Sequence, residues 1–157
     1  MDRGNKMKIM VSACLLGTNC KYDGGNNDSR ILREFVKGHE IVPVCPEVLG
    51  GLPIPRIPAE IVNGRVINRE GGSVDEAFRK GAEKALEIAT DQKPDLIVLQ
   101  SRSPSCGVNE IYDGTFSGKR IPGMGVFAKA AADAGFRVVD IENLAGFLNG
   151  KALEERR

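Results

Sequence analysis

Four cysteines, Cys14, Cys20, Cys45 and Cys106, are the residues of this chain whose type offers the most chemistry. A thiolate is a nucleophile and a soft metal ligand, while the neutral thiol is a small core residue. Three of the four sit in comparable surroundings. The stretches ACLLGTNC, VCPEVLGG and SPSCG each place sulfur in loop sequence containing glycine, proline or polar residues. Packing gives little reason for a thiol there, and backbone access to a bound group gives a good one. Zinc is one such group, although the paired C-x-x-C knuckles of structural zinc sites do not occur. An iron-sulfur cluster is the other: its thiolates can come from distant loops, and Cys45-Pro46 repeats a step found in bacterial ferredoxin runs. Cys20 offers a fourth thiolate. A set of three instead leaves one iron with a vacant position, where it acts as a Lewis acid that favours sulfur.

Whether these loops meet depends on the elements that carry them. Ile9 to Ala13 is an apolar run too short for a helix and ends in a glycine-containing loop, which predicts a buried strand delivering Cys14. HEIVPVC predicts a second strand delivering Cys45, and PDLIVLQ a third, followed by the loop with Cys106. NNDSRILREFVKG predicts a helix capped by Ser29, with Ile31, Leu32, Phe35 and Val36 on one face and Gly38 as its stop. SVDEAFRKGAEKALEIATDQ predicts the longest helix, opened by Ser73 and Glu76 as a capping box. Asn63-Gly64 between β-branched residues predicts a two-residue hairpin turn. The remainder reads as an irregular loop from Tyr112 to Pro122, a helix over GVFAKAAADAG, a strand over FRVVDI and a short helix near ENLAGFL.

Strands alternating with helices predict an α/β fold: a single three-layer domain with a mainly parallel sheet, helices on both faces and a small β-hairpin. It is expected over residues 7–150, after a polar extension at 1–6. Loops at the carboxyl ends of parallel strands gather along one edge. Cys14, Cys45 and Cys106 are therefore expected to converge despite separations of 31 and 61 positions.

Composition narrows the partners. Twenty-two basic and 21 acidic side chains leave a formal charge of +1, so no global field draws the chain to phosphate backbones, and a small substrate is favoured over a nucleic acid. No segment is apolar enough to cross a membrane, and the opening MDRGNK is unlike a signal peptide. A cytoplasmic chain with reduced cysteines is expected. His39, the sole histidine, opens a strand and is read as structural, which removes any histidine-based triad. GMGVFA matches G-x-G-x-x-A but follows GKRIP rather than a strand, a poor context for a dinucleotide site. Tyr22 and Tyr112 precede Asp-Gly turn formers and are candidates to stack on a ring; Arg56 in PIPRIP is a rigidly presented cation suited to pair with an acid.

Four blocks, VSACLLGTNCKYDGG, VCPEVLGGLPIPRIPAEI, SRSPSCGVNEIYDGTFSGKR and GMGVFAKAAADAGFRVVDIEN, resemble in order and spacing the TudS-like thiouracil desulfidase family of bacteria and archaea. The resemblance runs from Met7 to Glu142. It implies a [4Fe-4S] cluster held by Cys14, Cys45 and Cys106, whose open iron accepts the sulfur of a thiolated pyrimidine as hydrosulfide while water supplies oxygen, without net redox change. It implies catalytic roles for Glu47 in CPE and Ser103 in SPSC, with Ser101 and Ser105 close by as competitors. Relatives often carry lysine where this chain has Gln100, and Arg102 is a candidate to substitute. The implied partner is a small thiolated base or nucleoside such as thiouracil or a thiouridine; thiolated tRNA is less favoured by charge, and no membrane is involved. Two other readings stay open: a non-catalytic iron-sulfur redox or sensor module with Cys20 as fourth ligand, and a zinc-binding domain.

Overall fold

Ile9, Met10 and Val11 have no exposed surface, and neither do Ile97, Val98 and Leu99, so two short strands are buried on both faces, as the centre of a parallel sheet requires. The structure is a computed structural model, and it describes residues 6–146. Most of the expected N-terminal extension, and positions 147–150 of the expected domain and last helix, lie outside the described residues. In chain order the elements are β1 (Lys8–Ser12), α1 (Arg30–Phe35), β2 (Glu40–Val44), α2 (Pro46–Leu49), β3 (Ala59–Val62) and β4 (Arg65–Asn68). There follow α3 (Asp75–Gln92), β5 (Leu96–Leu99), β6 (Glu110–Tyr112), β7 (Arg120–Pro122), α4 (Val126–Asp133) and β8 (Val138–Asp140). One-turn 3-10 helices at Ala13–Leu16 and Ile141–Asn143 follow β1 and β8.

The main sheet has the order β2-β1-β5-β8, and every pairing in it is parallel. Alternate strand residues feed two cores. Ile9, Val11, Leu96 and Val98 pack with Leu32 of α1 and with Leu144; Met10, Ile97 and Leu99 pack with Ala82, Ala85 and Ala89 of α3 and with Phe127, Ala128 and Ala131 of α4. Helices thus cover both faces, and the three-layer α/β reading holds. The alanine stripe brings the α3 and α4 backbones near the sheet.

The Asn63-Gly64 turn joins β3 and β4 as an antiparallel hairpin. Three expectations need correcting. Residues 112–122 are not an irregular loop: β6 and β7 pair antiparallel, with Ile111 opposite Ile121 and Tyr112 opposite Arg120. Strands of three residues are too short to show an alternating pattern. The capping box does not form either. Ser73 is held in an isolated bridge to Ile67, the helix begins two residues later, and the cap residue Val74 makes no side-chain cap bond. On α1, Ser29 caps as expected by accepting the Leu32 N–H, but Ile31 is 40% exposed and only Leu32 of that helix is buried.

Glycine positions α2. A Cβ on Gly81 would lie 1.8 Å from the Pro46 carbonyl oxygen, and one on Gly50 would lie 2.1 Å from that of Ala77. The backbones of α2 and α3 therefore touch. Among the described residues, no helix is long and apolar enough to cross a membrane.

Candidate functional site

Because β1, β2 and β5 are parallel neighbours, their carboxyl ends share one edge. Ser12 is level with Val44, and the Gln100 N–H donates to Ser12 Oγ at 2.9 Å, drawing the chain after β5 alongside the chain after β1. Cys14 lies in the 3-10 turn that follows β1. Cys45 is the residue before α2, whose first position is Pro46. Cys106 lies beyond β5 in a loop seated on α4: the N–H groups of Gly125, Val126 and Phe127 donate to the carbonyls of Gly107, Pro104 and Ser105. The three expected thiols converge. Together with Cys20, Glu47 and Ser103 they line one cavity of about 770 Å³.

The same α4 contacts settle GMGVFA. A Cβ on Gly125 would lie 2.5 Å from the Ser105 carbonyl carbon, and the amides at the helix start are taken by loop carbonyls. The glycine serves close packing, as the poor context for a dinucleotide suggested.

The thiols are electrostatically unequal. The Cys20 thiol donates to both Cys14 and Cys45, so its own ionisation is strongly opposed. Cys14 is held below the usual thiol range, first by that bond and against its burial, with Asn27 Nδ2 donating to its sulfur at 3.6 Å. Cys45 is lowered to about 7: the Cys20 bond is the largest cause, burial opposes it, and the Val48 N–H assists. Burial pushes Cys106 up to about 12, against hydrogen bonds from the Ser12 and Ser105 hydroxyls.

This donor set fits an iron-sulfur cluster. It is all sulfur, without histidine, set on strand ends and shielded from bulk water, which suits soft iron. Among the described residues, no three His, Cys, Asp or Glu groups lie close enough together to hold a single ion. A four-iron cluster takes its thiolates at separate corners, which loops from three different strand ends can supply.

Among the described residues, Glu47 is one of two glutamates in the cavity wall, with Glu60 the other. Glu47 Oε1 receives Arg56 Nε and Nη2, both at 2.9 Å, and these two side chains are only 13% and 8% exposed. Arg56 is fixed in turn by the carbonyls of Cys20 at 2.9 Å and Pro53 at 3.2 Å, so the expected pairing with an acid is present. The other carboxylate oxygen, Oε2, accepts from Ser105 Oγ at 2.8 Å and from Ser103 Oγ at 3.3 Å. Ser103 Oγ also accepts the N–H groups of Ser105 and Cys106, both at 3.0 Å, and so shapes the cysteine loop.

The three serines are therefore distinguished. Ser101 donates to buried Asp140, whereas Ser103 and Ser105 both face Glu47. Gln100 lines the cavity and donates to the Ser101 carbonyl at 3.4 Å. Arg102 also lines the cavity, but it pairs with Glu142 at 2.7 Å and bonds the Tyr112 side chain, so it is engaged elsewhere. Both tyrosines line the cavity; Tyr22 is 45% exposed, with Lys21 Nζ 6.0 Å from its ring centre. His39 is structural, its Nδ1 accepting the Met7 N–H. Ser12 and Asn27, which hydrogen-bond two of the thiols, gave no signal of their own in the sequence. One ends an apolar run and the other lies in a polar stretch that reads as a helix approach.

Comparison with known proteins agrees with this geometry. A family model, 2-thiouracil desulfurase, matches residues 9–143. The uncharacterized protein YbbK of Bacillus subtilis (strain 168) is 39% identical over 150 residues, covering 89% of this chain and 99% of that protein. A solved structure described as the [4Fe-4S]-dependent thiouracil desulfidase TudS superposes with a TM-score of 0.85 at 37% identity, covering 94% of this chain and 99% of that one.

Proposed function

The chain belongs to the 2-thiouracil desulfurase family, and from that premise we propose that it hydrolyses the thiocarbonyl of a small thiolated pyrimidine, releasing sulfide. The cluster it would use is [4Fe-4S], held by Cys14, Cys45 and Cys106. One observation carries the reading: the three cysteine loops open on the same cavity as a carboxylate largely withdrawn from water, fixed on one oxygen and hydrogen-bonded to hydroxyls on the other. When bound, such a cluster supplies a soft Lewis-acidic iron with a position free of protein ligands, suited to a thiocarbonyl sulfur.

The chain's own residues do the rest. Water adds to the ring carbon as the C–S bond breaks and a C–O bond forms, so the sum is thiocarbonyl plus water to carbonyl plus hydrogen sulfide, with no electrons transferred. Glu47 Oε2 takes the proton that water loses. Arg56 keeps Oε1 engaged, which leaves Oε2 as the working oxygen. Ser103, bonded to the same Oε2, relays that proton, giving its own to the substrate ring and regaining one from Glu47, and Ser105, also bonded to Oε2, keeps the carboxylate aimed. Cys20 donates to Cys14 and Cys45 as a neighbour of the ligands.

A second reading rests on that same neighbour. Cys20 lines the cavity and bonds two of the three thiols, so a four-thiolate cluster acting as a redox or sensor module has the same sulfurs to draw on. Anaerobic reconstitution with iron and sulfide, followed by an assay of 2-thiouracil, separates the two. Stoichiometric uracil and sulfide support the desulfidase, whereas a stable cluster that consumes no thiolated pyrimidine supports the module.

A further inference from the structure

Among the described residues, four that are not glycine adopt positive φ: Asn63 (50°), Lys93 (52°), Arg102 (62°) and Phe116 (57°). Chain geometry accounts for two of them. Asn63 opens the turn between β3 and β4, and Lys93 ends α3 in a left-handed cap. The other two both line the cavity. Arg102 is tied to Glu142 and Tyr112. Phe116 makes no comparable bond through its side chain, and a bulky residue in the left-handed region is costly enough to persist only where its surroundings enforce it.

The enforcement comes from β3. Glu60 Oε1 accepts the Gly114 N–H at 2.9 Å and the Phe116 N–H at 3.1 Å. Gly114, with φ of 93°, packs so close to β3 that a Cβ would lie 2.8 Å from the Ile61 carbonyl oxygen. Asp113 Oδ1 adds bonds to the Thr115 N–H and hydroxyl at 2.9 and 2.6 Å. The loop between β6 and β7 is thereby held, and it places Phe116 among the residues lining the cavity that holds the thiols and Glu47.

We propose that Phe116 is the ring-stacking, specificity-determining residue of this site, with Glu60 as the positioning residue that holds its loop. The proposal rests on the desulfidase reading for the identity of the ring, a planar pyrimidine. The other aromatic residues of the cavity are engaged or placed differently. Phe78 is 3% exposed in the packing of α3, the Tyr112 side chain bonds Arg102, and Tyr22 stands half in solvent beside Lys21. Phe116 is half-buried and carries no polar group, so a flat heteroaromatic ring gains contact on it without desolvating a donor or acceptor.

Uracil, which keeps the ring and lacks the sulfur, tests this without turnover. With cluster-loaded protein in a titration calorimeter, Phe116→Ala is expected to weaken uracil binding about five- to hundredfold, and Phe116→Tyr to restore it to within about threefold. Phe116→Leu keeps apolar bulk without a π-face and should bind as weakly as the alanine variant. The KM for 2-thiouracil should rise with these losses while kcat changes less. Glu60→Ala should weaken uracil binding in the same direction, and Glu60→Gln, which retains an acceptor oxygen, should not. Unchanged affinity in Phe116→Ala, wild-type affinity in Phe116→Leu, or no uracil binding by the wild type overturns the proposal. A wild type that binds uracil with this variant pattern yet releases no sulfide from 2-thiouracil contradicts the desulfidase reading while supporting the stacking role.

Discussion

Arg56 grips a single oxygen of Glu47. Two nitrogens of the guanidinium lie 2.9 Å from Oε1, leaving Oε2 to the hydroxyls of Ser103 and Ser105. Both side chains are largely withdrawn from water, so neither charge is easily left alone.

Removing one partner should therefore cost more than removing both. Arg56→Met is expected to lower stability by about 3 kcal/mol and turnover by about a hundredfold while the cluster absorbance remains. Glu47→Gln should lose about 10²- to 10⁴-fold in kcat. The double variant should recover much of the stability and none of the activity. Thermal unfolding and sulfide release measured on the three proteins check this, and a double variant no more stable than Arg56→Met would contradict it.

The serines should separate by what fails. Ser105→Ala removes a 2.8 Å donor to Glu47 and should lower kcat with little change in unfolding temperature. Ser103→Ala also orphans the N–H groups of Ser105 and Cys106, and should lower kcat and destabilise by about 1–3 kcal/mol. Ser101→Ala, which leaves buried Asp140 with the Glu142 N–H but without its hydroxyl donor, should affect stability alone. Unfolding curves set beside steady-state rates for all three test the assignment.

Much of this was legible in the sequence because apolar runs bounded by glycine and proline mark buried strands, and parallel order then brings Cys14, Cys45 and Cys106 to one edge. Arg56 was readable as an acid's partner from the stiffness of PIPRIP. Choosing among Ser101, Ser103 and Ser105 was not possible, since three serines at alternate positions look alike until the loop is folded. The β6–β7 hairpin was hidden by its short strands, and the capping box failed because a tertiary bridge from Ser73 to Ile67 overrode a local motif. Phe116 gave no signal, because its left-handed backbone depends on Glu60, 56 positions away.

Glycine contact predicts a structural coupling. Gly81→Ala puts a methyl group into the Pro46 carbonyl, forcing α2 away from α3 and moving Cys45 and Glu47 with it. A loss of about 1–3 kcal/mol or more is expected, together with a reduced iron content after reconstitution. Wild-type iron content would show that α2 can yield without disturbing the site.

Acid stability should register Asp75. Partial burial opposes its ionisation, but the Val66 N–H at 3.0 Å and Arg79 at 3.0 Å outweigh that and hold the carboxyl below its usual 3.8. A carboxyl depressed on folding stabilises fully above its unfolded pKa, and the contribution fades as pH falls through the folded value. Denaturation of wild type and Asp75→Asn from pH 7 to pH 2 should show a gap that is constant above about pH 5 and closes in acid. A gap unchanged down to pH 2 would contradict the assignment.

For the proposed cluster on Cys14, Cys45 and Cys106, with Cys20 outside the ligand set, iron content is the decisive measurement. After anaerobic reconstitution, Cys20→Ala should hold the iron and labile sulfide of a full [4Fe-4S] cluster and still release sulfide from 2-thiouracil. Cys14→Ala, Cys45→Ala and Cys106→Ala should each fail to hold it. Loss of the cluster in Cys20→Ala, or a full active cluster in any of the other three, would contradict that ligand set.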